Sequence, residues 1–289
     1  MDVESTQQVL HGTTAVVTGG GRGLGRVLAQ GLADAGAAVG LIARSTDQLA
    51  ESVRIVEESG GVAVAATADV ADPRAAAAAI AQLRHQLGHI DLLVNNAGVS
   101  GPVGPAWEVA EDDWWHTVEV NLRGVELCSR LVLPEMVARR RGRIVNITSR
   151  AGVYRWPLLS AYSVSKAAVV KYVENLAQET KRYGLAIFSL HPGILPIGFG
   201  ELALAAAEVP VEGPQAGTGG WIREELASGR GADPHQVADL LVRMAAGDAD
   251  LLTGRHLTIG DDLEELLSQI DDIRGDDSYF LRVRTLTDS

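Results

Sequence analysis

Thr18-Gly19-Gly20-Gly21-Arg22-Gly23-Leu24-Gly25 is the stretch that decides how this chain is read. It joins a short β-branched run, Thr13–Thr18, to a helical pattern over Leu24–Ala35. Glycines at such a turn permit positive φ and let backbone approach an anion closely. The helix that follows presents unpaired N–H groups and the positive end of its dipole. The spacing is T-G-x-x-x-G-x-G, with Gly19, Gly23 and Gly25 in register, rather than G-x-G-x-x-G. Between a first strand and a first helix, it predicts a pyrophosphate cradle formed by Gly19, Gly21, Arg22, Gly23, Leu24 and Gly25.

Working outward, short apolar runs alternate with longer helical patterns. Strands are expected at Val39–Ala43, Val62–Thr67, Asp91–Asn95, Arg143–Thr148, Leu185–Leu190 and His256–Ile259. Helices are expected at Thr46–Ser59, Pro73–Leu87, Glu111–Arg140, Ser160–Tyr183 and Pro234–Ala246, with Asp72 capping the third helix of the chain. Strands apolar on both faces, each followed by a helix, predict an α/β fold: a Rossmann-like, doubly wound parallel sheet of about seven strands in one domain over residues 1–289. The Gly- and Pro-rich segment 194–231 reads as a substrate-covering loop. In the C-terminal extension, 262–289, Leu263, Leu266, Leu267, Ile270 and Ile273 form a helical stripe. It packs either on the chain's own core or on a neighbouring subunit.

Charge and composition narrow the function classes. The chain has 37 acids against 25 bases, a net charge of −12, which argues against nucleic acid and anionic membrane surfaces as partners. The cluster Arg139, Arg140, Arg141 and Arg143 closes a helix, where cations meet the negative end of the dipole. The single cysteine, Cys128, sits among leucines and reads as a buried structural thiol in a reducing compartment. No signal segment or membrane-spanning run is legible, and the scattered histidines offer no metal motif. A cytoplasmic protein without a metal is the expectation.

The second strand ends in Ala43-Arg44-Ser45, without the acid that would bond a free adenosine ribose. Arg44 and Arg22 suit a 2′-phosphate instead, with Ser45 beside them, or else they are two solvated arginines. NADP is therefore favoured over NAD. Tyr162 and Lys166 stand at i and i+4 on one helix face, where an ammonium lowers a phenol pKa that starts near about 10. Ser149 lies 13 residues before Tyr162, at the end of the fifth strand. Lysine is scarce here, three against 22 arginines, so its occurrence at position 166 points to a need for a compact ammonium.

Together the glycine turn, Asn95-Asn96-Ala97-Gly98, the Asn121–Ser149–Tyr162–Lys166 set and Pro192-Gly193 resemble the short-chain dehydrogenase/reductase family over about residues 13–260. The resemblance implies that Tyr162 is the general acid/base and that Ser149 polarises the reacting oxygen. It also implies that Lys166 binds the nicotinamide ribose, and that Asn121 holds a water linked to Lys166. By the same resemblance, Asp69 and Val70 contact adenine, Asn95, Ala97 and Gly98 shape the central crevice, and Pro192, Gly193 and Leu195 lie along the nicotinamide. Ile197 stands where the family commonly carries a threonine that bonds the carboxamide. The implied activity is NADP-dependent hydride transfer between nicotinamide and a ketone or secondary alcohol. Arg150, Val153, Tyr154, Trp156, Ile197, Phe199, Leu202 and Trp221 suggest a largely apolar small-molecule pocket. The long helix carrying Tyr162 suggests a homodimer or homotetramer. Competing readings are an NAD-dependent alcohol dehydrogenase, a dehydratase or epimerase, and a catalytically silent dinucleotide sensor.

Overall fold

The computed structural model describes residues 9–198 and 224–283. Seven strands, β1 (Thr14–Thr18), β2 (Ala38–Ala43), β3 (Val62–Thr67), β4 (Leu92–Asn95), β5 (Arg143–Ile147), β6 (Ala186–His191) and β7 (His256–Thr258), form one sheet in the order 3-2-1-4-5-6-7. Every pairing is parallel. Parallel strands need crossovers, supplied here by α1 (Gly23–Asp34), α2 (Thr46–Glu58), α3 (Pro73–Leu87), α4 (Glu111–Val118), α5 (Gly124–Arg139), α6 (Ser160–Thr180) and α7 (Pro234–Ala246). Strand order reverses between β1 and β4, and a crevice opens beyond their C-terminal ends.

The sheet is buried on both faces, and alternate residues of a strand serve opposite cores. In β6, Phe188 and Leu190 enter one cluster while Ile187 enters the other, all three with no exposed surface. Local chemistry sets the helix starts. Asp72 accepts hydrogen bonds from the N–H groups of Arg74 (2.7 Å) and Ala75 (3.0 Å), with Pro73 in the first turn. Asp233 and Pro234 repeat the device at α7.

Two expected helices are divided. The stretch expected as Glu111–Arg140 contains a π-helical turn over Glu119–Arg123, which inserts an extra residue between α4 and α5. The C-terminal stripe forms two short helices, α8 (Leu263–Ser268) and α9 (Ile270–Gly275). Of the two surfaces open to it, the stripe takes the chain's own: Leu263, Leu266 and Ile273 are buried in the core. The arginine cluster also does more than face a helix dipole. Arg139 pairs with Asp91 at 2.6 Å, and Arg143 pairs with Asp250 at 2.7 Å.

Beyond α9 the chain returns to the sheet. The Tyr279 carbonyl accepts the N–H of His256 in β7 (2.9 Å), and the Phe280 ring lies between the guanidinium groups of Arg255 (4.0 Å) and Arg282 (4.7 Å). Glu174 on α6 accepts from the Leu281 N–H (2.6 Å) and pairs with Arg282 (2.8 Å). Truncation after Asp262 should therefore cost stability: each large side chain that loses its burial costs about 1.5–3 kcal/mol. A melting temperature equal to that of the full chain would contradict this packing.

Candidate active site

The glycine turn takes its shape from contacts that a side chain would block. Gly19 and Gly23 adopt φ of +68° and +55°, and a Cβ on Gly25 would lie 2.2 Å from the Gly19 carbonyl oxygen. Arg22 is the N-cap of α1 but makes no side-chain cap bond, and the first turn carries no acid. Gly23, Leu24 and Gly25 line the crevice, and their N–H groups have no acceptor among the described residues, as an anion site requires. Two residues absent from the sequence reading hold the turn from behind. Arg26 donates to the Gly21 carbonyl (2.7 Å) and to Ser52 Oγ (3.0 Å), and Ser52 donates to the same carbonyl (3.1 Å).

Thr18 and Asn96 tie β1 to β4. Thr18 Oγ1 accepts from the N–H groups of Asn96 and Ala97, both at 3.0 Å, and Asn96 Nδ2 donates to the Thr18 carbonyl at 3.0 Å. Asn96 lines the crevice with Ala97 and Gly98. Asn95, expected there, is placed elsewhere. Its side chain, on the last residue of β4, is buried and donates to Ser129 Oγ (3.1 Å) and Asn146 Oδ1 (2.9 Å). Asn95 therefore braces the sheet beneath the crevice.

Arg22, Arg44, Ser45, Asp69 and Val70 line the same crevice as the glycine turn. Arg22 and Arg44 are exposed and make no ion pair with any described residue. Ser45 caps α2 through Gln48 N–H (3.3 Å), and Asp69 accepts from the Ala71 N–H (2.9 Å). Pro192, Gly193, Leu195 and Ile197 also line the crevice. Gly193 has φ of +80°, and its missing Cβ makes room for Ala232.

Farther along, β5 delivers Ser149 and α6 delivers Tyr162 and Lys166 to one point of the crevice. Burial pushes the Tyr162 phenol above its ordinary pKa, and a hydrogen bond with Ser149 draws it back in part. The sequence predicts lowering by the ammonium, but Lys166 Nζ donates instead to the Ile147 carbonyl (2.9 Å) and stands 5.8 Å from the phenol ring centre. Burial holds Lys166 down to about 8. Asn121 sits on the π-helical turn, completely buried. Its Oδ1 accepts from the Val99 N–H (2.8 Å), and its Nδ2 donates to the Val99 carbonyl (2.9 Å) and Ser165 Oγ (3.1 Å). A Cβ on Gly98 would come 3.0 Å from Asn121 Oδ1 and 3.7 Å from Lys166 Nζ, so the three residues border one small space.

The crevice encloses about 2000 Å³. That is well above the roughly 300–1,000 Å³ of a drug-sized pocket, leaving room for a dinucleotide beside a substrate. Arg150, Val153, Tyr154 and Trp156 line it as expected; Phe199, Leu202 and Trp221 lie outside the described residues. Two histidines not singled out from sequence, His191 and His256, also line it, both nine-tenths buried. No group of three metal-ligating side chains occurs among the described residues, and none of the described helices is long and apolar enough to cross a membrane. The buried Cys128 thiol is pushed up to about 12.

The orphaned donors of α1, the glycines whose Cβ atoms would fill the turn, and the Ser149–Tyr162–Lys166 group fit a nicotinamide dinucleotide. Comparison with known proteins agrees. Oxidoreductase UcpA of Escherichia coli is 34% identical over 269 residues, covering 90% of this chain and 98% of the relative. Among solved structures, a variant of the actinorhodin polyketide ketoreductase with NADPH has a TM-score of 0.78 at 30% identity, covering 85% of this chain and 95% of that one. An NAD+-bound xylitol dehydrogenase has a TM-score of 0.78 at 26% identity, covering 86% and 98%. Residues 13–198 match the short chain dehydrogenase profile, and the chain belongs to the short-chain dehydrogenase/reductase family.

Proposed function

We propose that the protein is an NADP-dependent oxidoreductase that interconverts a ketone and a secondary alcohol, with all 289 residues serving one catalytic domain. The observation that carries this reading is the meeting of Ser149, Tyr162 and Lys166 in the crevice that holds the glycine turn. When bound, the nicotinamide supplies the hydride for the carbonyl carbon, or accepts it from the carbinol carbon. Tyr162 gives its hydroxyl proton to the carbonyl oxygen in reduction and takes the alcohol proton in oxidation, so each hydride is matched by one proton. Ser149, already bonded to that phenol, holds the reacting oxygen against it. Lys166 and Asn121 border the space through which the phenol's proton is replaced. A panel of ketones and secondary alcohols, followed by nicotinamide absorbance, tests the reading. Cofactor-dependent turnover of none of them would overturn it.

Arg22 and Arg44 support the choice of cofactor. Neither makes an ion pair with a described residue, and β2 ends in Ala43-Arg44-Ser45, without the acid that would bond a free ribose. NADPH should bind more tightly than NADH. Arg44→Asp should reverse that order, because it removes a phosphate partner and introduces an acid suited to ribose hydroxyls. Equal wild-type affinities in a fluorescence titration would refute the assignment and favour an NAD-dependent dehydrogenase.

We read the protein as a cytoplasmic homodimer or homotetramer, paired through the faces of its long helices. Val164 on α6 and Trp115 on α4 are 50% and 55% exposed, an apolar surface suited to a second copy. A monomer by light scattering at micromolar concentration would refute the assembly.

A further inference from the structure

Arg150 and Arg155 line the crevice of a chain whose net charge is −12. Arg150 follows Ser149 directly, on a 3-10 turn, and consecutive Cα atoms are only about 3.8 Å apart. Its guanidinium lies 4.9 Å from the Tyr154 ring centre. It makes no ion pair with any described residue, and neither does Arg155, which lines the same crevice. The nearby acid, Glu225, is already committed to Arg230 through two hydrogen bonds of 2.9 and 2.8 Å. A guanidinium that lines the crevice close enough to His191 to influence its charge, with no ion pair among the described residues, is what a substrate anion would complete.

A second observation comes from β6. His191 is 8% exposed, and its Nδ1 is sealed with no hydrogen-bond partner among the described residues, whereas Nε2 is not sealed. A buried N–H without a partner is costlier than a bare acceptor, so the ring proton belongs on Nε2, the nitrogen open to the crevice. Burial, then the neighbouring His256, then Arg150, push the His191 pKa down to about 4. The ring is thus a neutral donor at ordinary pH, and the neighbouring His256 is fixed in turn, its Nδ1 lying 3.1 Å from Ser189 Oγ and 3.3 Å from Thr148 Oγ1.

We propose that the substrate is a hydroxy or oxo acid whose carboxylate is held by Arg150, with the His191 Nε2–H as a second donor. Val99, Val103, Val153, Trp156 and Leu159 line the rest of this end, so the acid has an apolar body. The apolar substrate expected from sequence thus gains a charged head. This inference rests on the oxidoreductase reading, and its test separates the two.

The turnover arm uses α- and β-hydroxy acids, each beside its methyl ester, with NADP+. The acids should be preferred, and Arg150→Gln should lower their kcat/KM by about 10- to 100-fold, lowering that of the esters far less, so that the acid-to-ester preference collapses. Arg150→Lys should recover part of the loss. His191→Phe should weaken the acids in the same sense, through KM. NADP+ affinity should be untouched, because Arg22 and Arg44 lie at the other end. The binding arm titrates the NADP+-saturated protein with phenylacetate, phenylacetamide and benzyl phosphate by tryptophan fluorescence. Selective binding of phenylacetate, lost in Arg150→Gln, would support the carboxylate site even if turnover failed. Esters preferred over acids would overturn it while leaving the oxidoreductase reading intact. Equal binding of acid and amide, or preference for benzyl phosphate, would also overturn it.

Discussion

Tyr162→Phe should lower turnover on a verified substrate by about 10²- to 10⁴-fold, the range typical of losing a positioned general acid–base. The substitution keeps the ring in its buried place and removes only the hydroxyl that bonds Ser149. Cofactor affinity should survive, since the dinucleotide is held mainly by the turn at the other end of the crevice. The pH profile supplies a second readout. Alcohol oxidation needs the ionised phenol, so it should rise toward alkaline pH. Carbonyl reduction needs the protonated phenol and should fall over the same range. Because burial holds the phenol above its ordinary pKa, the protonated form persists through neutral pH, which favours reduction. A Tyr162→Phe enzyme with near-native turnover, or profiles of the opposite sign, would remove Tyr162 from the mechanism.

Lys166→Ala should damage both binding and turnover, each by about tenfold or more, as expected when a charged hydrogen-bond donor is lost. The ammonium is nine-tenths buried, bonds the Ile147 carbonyl and borders the space left by Gly98. Lys166→Arg is the sharper variant. Gly152 packs so closely that a Cβ there would lie 2.7 Å from the Lys166 carbonyl carbon. A planar guanidinium is broader than an ammonium and aims its donors differently, so retained charge should bring little recovery. Native NADPH affinity and turnover in Lys166→Arg would show that any cation suffices.

What could be read in advance was local. The glycine turn and the i, i+4 pair of Tyr162 and Lys166 are set by neighbouring residues, and apolar strands followed by helices imply a covered parallel sheet. Nothing in the hydrophobic pattern of 111–140 marks the one-residue insertion at Glu119–Arg123, because the flanking helices keep their own periodicity. The facing of Asn95 and Asn96 depends on strand register, which is fixed by pairing with β1 and β5. The histidine pair is farther from view. His256 meets Ser189 and Thr148 across 67 and 108 residues of chain, through β7's place at the sheet edge. Arg26 and Ser52 likewise meet only when α1 and α2 pack.

The returning C-terminal segment has a practical consequence. Tyr279 covers the outer edge of β7, while Leu281 and Arg282 reach the rim of the crevice. Displacing residues 279–282 would both open the rim of the crevice and expose the edge strand that this segment shields from other chains. Proteolysis working inward through this segment would first widen the cleft, as Arg282 and Leu281 are lost, and then bare the strand edge, as Tyr279 is lost. Storage and handling that protect the carboxyl terminus thus protect solubility and selectivity together.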